Sequence, residues 1–242
     1  MIEFHNVTKE YEDGTVAVRD FSLVCESHET TVLVGTSGSG KTTVMRMVNR
    51  MVDPTYGQVI WDGVDVATMD AVKLRRSIGY VIQEGGLFPH WTVAENIATV
   101  LRLEDTPKEK VREVVLDLMD RTGLPRTLAD RYPSQLSGGQ RQRVGVARAL
   151  ANKPLLMLMD EPFGALDPLV RRDLQNEMIR IRDEFGVTIL LVTHDMSEAM
   201  RLGQKVVVMQ EGGRIVQAGT PQEILEHPAT PFVSDLIEAA RF

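Results

Sequence analysis

The 242-residue sequence has one cysteine, Cys25, and no apolar run longer than the five residues from Leu155 to Met159. A single cysteine forbids an internal disulfide and rules out a cysteine-built metal cluster. Five apolar residues fall far short of the roughly 20 that a helix needs to cross a bilayer. The opening, MIEFHNVTKEYEDG, is polar and acidic and reads as no secretory leader. Basic residues are in deficit, 27 Lys and Arg against 34 Asp and Glu, for a net charge of −7. That balance argues against broad electrostatic attraction to nucleic acid or anionic lipid. Internal repeats and low-complexity tracts are absent too. What is present is the ordinary mixture of a folded globular chain, 43% hydrophobic and 25% charged. The length admits one large domain, or one domain carrying a subdomain. The expectation is a soluble α/β protein of a reducing compartment with no membrane span of its own.

Patterning divides the chain into regions. Phe4 to Tyr11 and Val16 to Val24 read as strands around the turn Glu12-Asp13-Gly14. Thr30 to Val34 is a short β-branched apolar run, the mark of a buried strand. A helix follows from about Thr42, with Val44, Met47, Val48 and Met51 on one face, and Asp53-Pro54 is expected to end it. Gln58 to Val66 reads as a hairpin around Asp62-Gly63. The middle is more helical. Lys108 to Arg121 carries Val111, Val114, Val115, Leu118 and Met119 on one stripe, stopped by Gly123-Leu124-Pro125. A second helix is expected from near Gln140 to Asn152. This places a helical subdomain at about 90–150, inserted into an α/β core formed by about 1–89 and 151–242. After Pro154 the α/β pattern returns. Leu155 to Met159 and Thr188 to Val192 read as buried strands flanking a helix marked by Val170, Leu174, Met178, Ile181 and Phe185. That order implies a mainly parallel sheet with right-handed crossovers. Val206 to Gln210 and Arg214 to Ala218 flank the turn Glu211-Gly212-Gly213, and two short helices follow from Pro221. The twelve methionines, where they lie on helix faces, read as core filler.

Gly35-Thr36-Ser37-Gly38-Ser39-Gly40-Lys41-Thr42 fits G-x-x-x-x-G-K-[ST] and lies between a buried strand and an amphipathic helix, the context that turns this pattern into a phosphate-binding P-loop. Its glycines allow backbone N–H groups to converge on phosphate oxygens, and the helix N-terminus adds partial positive charge. Lys41 is expected on the β- and γ-phosphates and the Thr42 hydroxyl on Mg²⁺. Kinases, GTPases, motors and transport ATPases all remain open at this point. The Asn-Lys-x-Asp tetrapeptide of GTPases is absent, since Asn152-Lys153-Pro154-Leu155 lacks the Asp, so guanine specificity has no support. Asp160-Glu161 closes the second buried strand. Taken alone, the dipeptide reads as a solvated turn; after an apolar strand, in a chain with a phosphate loop, it reads as functional. Successive strand residues face opposite ways, so the two acids divide the work: Asp160 on Mg²⁺, Glu161 on the attacking water as general base.

Leu136-Ser137-Gly138-Gly139-Gln140 is a glycine-rich turn before a helix, readable as a plain cap with Ser137 at the N-cap or as a second anion site. The wording LSGGQ between a phosphate loop and the Asp160-Glu161 strand is the signature of ATP-binding-cassette (ABC) ATPases, and this chain resembles that family over nearly its whole length. Further motifs appear in order. Tyr11 is similar to the adenine-stacking aromatic, Gln83 to the Q-loop glutamine, Ala165-Leu166-Asp167 to the D-loop and His194 to the switch histidine. Without the resemblance, His194 would read as an ordinary residue at a strand rim.

The resemblance implies a P-loop NTPase fold of the ABC type: a mainly parallel core sheet, an N-terminal antiparallel β subdomain and an inserted helical subdomain carrying LSGGQ. It implies Mg²⁺-dependent ATP hydrolysis. The nucleotide would be held by Tyr11, Gly35, Thr36, Ser37, Gly38, Ser39, Gly40, Lys41, Thr42 and Thr43. Ser137, Gly138, Gly139, Gln140 and Asp167 would complete the site from a second, head-to-tail copy. Mg²⁺ would be held by Thr42, Gln83 and Asp160, while Glu161, His194, Gln83 and Lys41 carry the chemistry.

Tyr80 to His90, Asp130-Arg131-Tyr132-Pro133, MDEPFGALDP from Met159 to Pro168 and Val48-Asn49-Arg50 are similar to the ATPases of importers for glycine betaine, choline and related osmoprotectants. Amino-acid importers share much of this wording. Non-transport cassettes that act on chromosomes or ribosomes, with their coiled coils, zinc cysteines or paired cassettes, are the more distant alternative, so no nucleic-acid partner is expected. The implied partners are an integral-membrane permease and, indirectly, an extracytoplasmic solute-binding protein. The implied location is the cytoplasmic face of the cell membrane, peripheral through the permease. Gly86-Leu87-Phe88-Pro89 would offer the permease an apolar floor, or equally serve as subdomain core. Thr36 stands where Pro is common in the family, and no sensor domain of the cystathionine-synthase type is visible up to Phe242.

Overall fold

The computed structural model describes residues 1–164 and 166–240. The elements begin with β1 (Ile2–Glu10), β2 (Val16–Cys25), β3 (Thr30–Gly35), α1 (Lys41–Val48), β4 (Tyr56–Trp61), β5 (Val64–Asp65) and α2 (Ala71–Ser77). They continue with β6 (Ile78–Val81), α3 (Val93–Ile97), α4 (Thr99–Leu103), α5 (Lys108–Arg121), α6 (Gly138–Leu150), β7 (Leu156–Asp160) and α7 (Pro168–Phe185). The last are β8 (Thr188–Thr193), α8 (Met196–Leu202), β9 (Lys205–Gln210), β10 (Arg214–Gly219), α9 (Pro221–Glu226) and α10 (Pro231–Ala239). Contacts group these into two compact units, Met1–Arg75 with Thr188–Phe242, and Arg76–Val187.

The first unit holds two sheet regions. An antiparallel sheet runs in the order β2-β1-β4-β5, with Ile2, Phe4, Val7, Val18 and Phe21 buried and Phe4 meeting Phe21 edge to face at 5.3 Å. The β4–β5 hairpin turns on Asp62 and Gly63, both at positive φ (47° and 80°), the twist-matched geometry of a two-residue hairpin. Beside it, β3 pairs in parallel with both β8 and β9, and β10 pairs antiparallel with β9. Every residue of β3 and β8 is buried. This accounts for their unbroken apolar runs, because a parallel strand covered on both faces has no polar side to alternate. Cys25 is buried with its thiol pushed up to about 11 by desolvation, so it has none of the thiolate character of a reactive cysteine.

In the second unit β6 pairs in parallel with β7, and α6 packs against α3, α5, α7 and β6. Val115, Leu118 and Met119 of α5 and Val144, Val146 and Ala147 of α6 form the apolar centre of this unit. Among the described residues, no helix is long and apolar enough to cross a membrane.

Several boundaries depart from the patterning: β1 spans Ile2–Glu10 rather than Phe4 to Tyr11, and α6 spans Gly138–Leu150 rather than Gln140 to Asn152. Helix α1 ends at Val48 rather than near Asp53-Pro54, and Met51 is 55% exposed. Arg50 takes left-handed backbone (φ 55°), and the Arg75 guanidinium donates to the carbonyls of Asn49 and Arg50. The Arg46 and Met47 carbonyls at the helix end accept from the Met51 and Arg50 amides, Arg75 takes the two carbonyls just beyond, and the chain turns away. Leu155 lies outside β7 and is exposed, the strand starting one residue later.

Candidate functional site

The phosphate loop leaves β3 at Gly35 and enters α1 at Lys41, as its context requires. Two of its glycines are dictated by space. A Cβ on Gly35 would stand 2.1 Å from the Met209 carbonyl oxygen, and one on Gly40 (φ 86°) would stand 2.5 Å from that of Ala17. Lys41 is buried at 6% exposure, and its ammonium donates to the carbonyls of Gly35 (2.8 Å) and Thr36 (2.7 Å) and to Ser39 Oγ (3.2 Å). The cation therefore sits within the curve of the loop, where positive potential comes from one lysine and the α1 N-terminus rather than from a basic surface. Thr36, Ser37 and Gly38 are exposed, while Thr42 and Thr43 are half-buried in the first turn of α1. The half-exposed Tyr11 hydroxyl lies 3.4 Å from Thr43 Oγ1, and the Lys9 ammonium lies 5.3 Å from its ring centroid. This brings the aromatic residue from the end of β1 to the loop.

Strand register supplies the next member. β3 and β8 pair with Val34 opposite Thr193, so His194 leaves β8 level with Gly35. The His194 backbone is pinned on both sides. The Thr193 hydroxyl donates to the buried Glu198 carboxylate (2.7 Å) and accepts from the Asp195 amide (3.0 Å), while Asp195 caps α8 through the Ser197 and Glu198 amides. Sequence reading missed these supports. Asp195 followed three residues later by Glu198 is a helix-start signal that could have found them.

The second unit repeats the register logic. Val81 of β6 lies opposite Met159 of β7, so Gln83 and Glu161 each follow two residues after one paired level, at the same end of the two strands. Gly164 corroborates the pairing: a Cβ there would stand 3.8 Å from Gln83 Nε2 and 3.9 Å from Glu161 Oε2. Glu161 is half-buried and holds left-handed backbone (φ 45°), a sparsely populated state for a residue with a Cβ and of the kind that clusters at functional sites.

Two helix starts complete the second unit's set. Ser137 Oγ accepts from the Gln140 amide (3.2 Å) and Gln140 Oε1 accepts from the Ser137 amide (2.9 Å), a capping box at the head of α6. The cap reading of LSGGQ is therefore realised. Ser137 is exposed, and Gly138 is the first residue of the helix. Asp167 caps α7 by accepting from the Val170 amide (3.1 Å), and a Cβ on Gly139 would stand 2.3 Å from Val170 Cγ1, so the two helix starts touch. Ala165, the first residue of the D-loop motif, lies outside the described residues.

The residues picked from the sequence thus assemble within each unit: Tyr11, Gly35 to Thr43 and His194 in the first, Gln83, Asp160 and Glu161 in the second, and Ser137 to Gln140 with Asp167 on adjoining helix starts. Within their own units, the Thr42 hydroxyl in the first and the Asp160 carboxylate and Gln83 side-chain carbonyl in the second are each oxygen donors of the hard type. No group of three or more His, Cys, Asp or Glu that could hold a metal occurs among the described residues.

Comparison with known proteins follows the same lines. Residues 18–164 match the family described as ABC transporter. The chain is 50% identical, over 98% of its length and 59% of the relative's, to a carnitine transport ATP-binding protein, OpuCA, of Listeria monocytogenes. It is 49% identical, over 96% of its length and 75% of the relative's, to the glycine betaine uptake system ATP-binding protein YehX of Escherichia coli. The chain thus spans about six tenths of the length of the carnitine-transport relatives it matches. Among solved structures, the ATP-binding cassette MJ0796, a dimer in a post-hydrolysis state bound to ADP and Pi, matches with TM-score 0.82 at 32% identity, covering 91% of this chain and 99% of that one. CbiO1 from Clostridium perfringens, part of the ABC transporter complex cbiONQ, matches with TM-score 0.86 at 27% identity, covering 98% of each chain. With a family match that runs from before the phosphate loop to beyond Glu161, and relatives half identical over nearly all of its length, this chain belongs to the ABC transporter family.

Proposed function

We propose that the chain is the ATP-binding and ATP-hydrolysing subunit of an ABC importer that carries quaternary amines or related osmoprotectants through a separate permease. The observation that carries the nucleotide reading is the Lys41 ammonium held inside the loop from Gly35 to Thr42. The solute class rests on the relatives, which are named for carnitine and glycine betaine transport.

In this reading Tyr11 stacks on adenine, the loop amides and Lys41 take the phosphates, and Thr42, Asp160 and Gln83 would hold Mg²⁺. When bound, the metal would neutralise phosphate charge. Glu161 orients a water and accepts its proton as the water oxygen bonds to the γ-phosphorus. The bond from phosphorus to the bridging oxygen breaks, and ADP and phosphate leave. His194 donates to the γ-phosphate and helps fix the water. The helical segment of about 90–150 presents the Ser137 cap, and the free amides of Gly138 and Gly139 give a second copy the donors its phosphate loop lacks. Two copies then close head to tail over two ATP molecules, and Asp167 lies in the same seam. Loss of the γ-phosphate removes the charge that these donors share, and the pair opens. The permease converts that cycle into solute movement, so the subunit works peripherally at the cytoplasmic face of the membrane, with an extracytoplasmic binding protein delivering the solute.

Affinity capture of the tagged chain from detergent-solubilised membranes tests the importer assignment. A multi-span permease is expected in the eluate, and vesicles holding that complex should take up labelled glycine betaine or choline when ATP is inside. Recovery of DNA or ribosomes with no membrane protein would contradict it.

A further inference from the structure

The turn that begins at Gln83 packs on α6. Gln83–Gly86 forms one tight turn, and both of its glycines take left-handed backbone, Gly85 at φ 76° and Gly86 at φ 50°. The Arg148 guanidinium, about three turns along α6 from Ser137, donates one N–H to the Gly85 carbonyl and another to the Gly86 carbonyl, each at 2.8 Å. Two bonds from one planar group set the orientation of the turn as well as its distance. Desolvation lowers the Arg148 pKa, as expected for a guanidinium drawn in against the protein. Backbone contact is equally close. A Cβ on Gly85 would stand 2.8 Å from the Arg141 carbonyl oxygen, and one on Gly145 would stand 3.0 Å from Gly85 Cα. The turn therefore lies directly on the α6 backbone, with side-chain-free residues on both faces of the contact and Arg148 closing it.

We propose that Arg148 is a positioning residue: it fixes the Gln83 turn on the helix headed by Ser137, so that Gln83 and the Ser137 cap move as one body. The inference rests on the reading of Gln83 as a contact to Mg²⁺ and the attacking water. Without the guanidinium, the Gly85 and Gly86 carbonyls lose a fixed partner, and two glycine φ angles become free to wander. Gln83 is then no longer held beside Glu161. The phosphate-loop contacts of Lys41 do not pass through Arg148, so nucleotide affinity is spared while turnover falls.

The test is a double-mutant cycle in the full chain, with amide hydrogen exchange on the same proteins. Gln83→Ala and Arg148→Ala are each expected to lower kcat by about 10- to 100-fold, the usual cost of losing a ligand or its support, with ATP affinity unchanged. The double variant should be no slower than Gln83→Ala, because the second change removes an effect already lost. A double variant slowed by the product of the two single losses overturns the proposal. Arg148→Ala should also speed exchange over residues 83–86 by about tenfold or more, and unchanged exchange there overturns the proposal whatever the kinetics. A fully active Gln83→Ala overturns the reading of Gln83 instead and leaves the exchange result to judge Arg148. Should Arg148→Ala not fold, Arg148→Lys, which keeps the charge and can reach one carbonyl, runs the same cycle with the same criteria.

Discussion

Glu161→Gln is expected to bind ATP as tightly as the parent chain and to release phosphate about 10²- to 10⁴-fold more slowly, the range for removing a positioned general base. The substitution keeps the size of the side chain and one of its two oxygens, so the contacts around Gly164 survive. What it removes is the capacity to accept a proton. Glu161 is a sound place for that capacity because β7 ends there. Asp160 finishes the strand facing one way, and the next residue turns into left-handed backbone (φ 45°) beside Gln83, so the two adjacent acids cannot share one role. Steady-state phosphate release alongside a nucleotide titration checks both halves of the prediction. Normal turnover would remove Glu161 from the role of base.

Lys41→Ala acts at the opposite step and should weaken nucleotide binding by about 10- to 100-fold, as expected for one hydrogen bond to a charged group worth about 1.5–3 kcal/mol. Its secondary effect follows from geometry. The ammonium bonds two loop carbonyls and the buried Ser39 hydroxyl, so alanine leaves those acceptors without their cation. The loop should then exchange its amides faster and the protein should melt earlier. Fluorescence titration with a nucleotide analogue measures the affinity and a thermal melt the stability. Unchanged affinity would refute the phosphate-loop reading even if the melting temperature fell.

Much of this site is legible in the amino-acid sequence, for reasons that differ from residue to residue. The phosphate loop declares itself because glycine, lysine and hydroxyl stand at fixed offsets after a β-branched run. Parallel burial of β3 removes every charged residue that would blur that run. The Ser137 cap declares itself through Gln140 three residues on, a purely local pattern. The Asp62-Gly63 hairpin is likewise local, since both residues must adopt positive φ. Pairings that depend on register are not visible in this way. Nothing in the chain between Gly35 and His194 says that they leave neighbouring strands at one level; only the Val34–Thr193 pairing does. The contact of Tyr11 with Thr43 likewise depends on the strands that bring β1 to α1.

The elements that patterning does not reveal are short. Helices α2, α3, α4 and α8 have five to seven residues, too few for a period of 3.6 to repeat. Strand β6 is four residues and contains Gly79, which reads as a strand breaker. In the fold that glycine is required, because a Cβ there would stand 2.6 Å from the Ala149 carbonyl oxygen. Helix α1 stops early at left-handed Arg50, where the Met51 amide returns to the Arg46 carbonyl and Arg75 takes the Asn49 and Arg50 carbonyls just beyond the helix, a closure that the non-glycine Arg50 does not announce in the sequence.

The central claim is that ATP is hydrolysed at a site that one copy begins and a second copy completes. Light scattering of the Glu161→Gln variant with and without MgATP tests it most directly, because hydrolysis no longer dissolves the closed state. The expected mass is that of one chain without nucleotide and of two chains with MgATP, the doubling lost again when Ser137 is also replaced by alanine. A variant that binds MgATP yet keeps the mass of a single chain would contradict it.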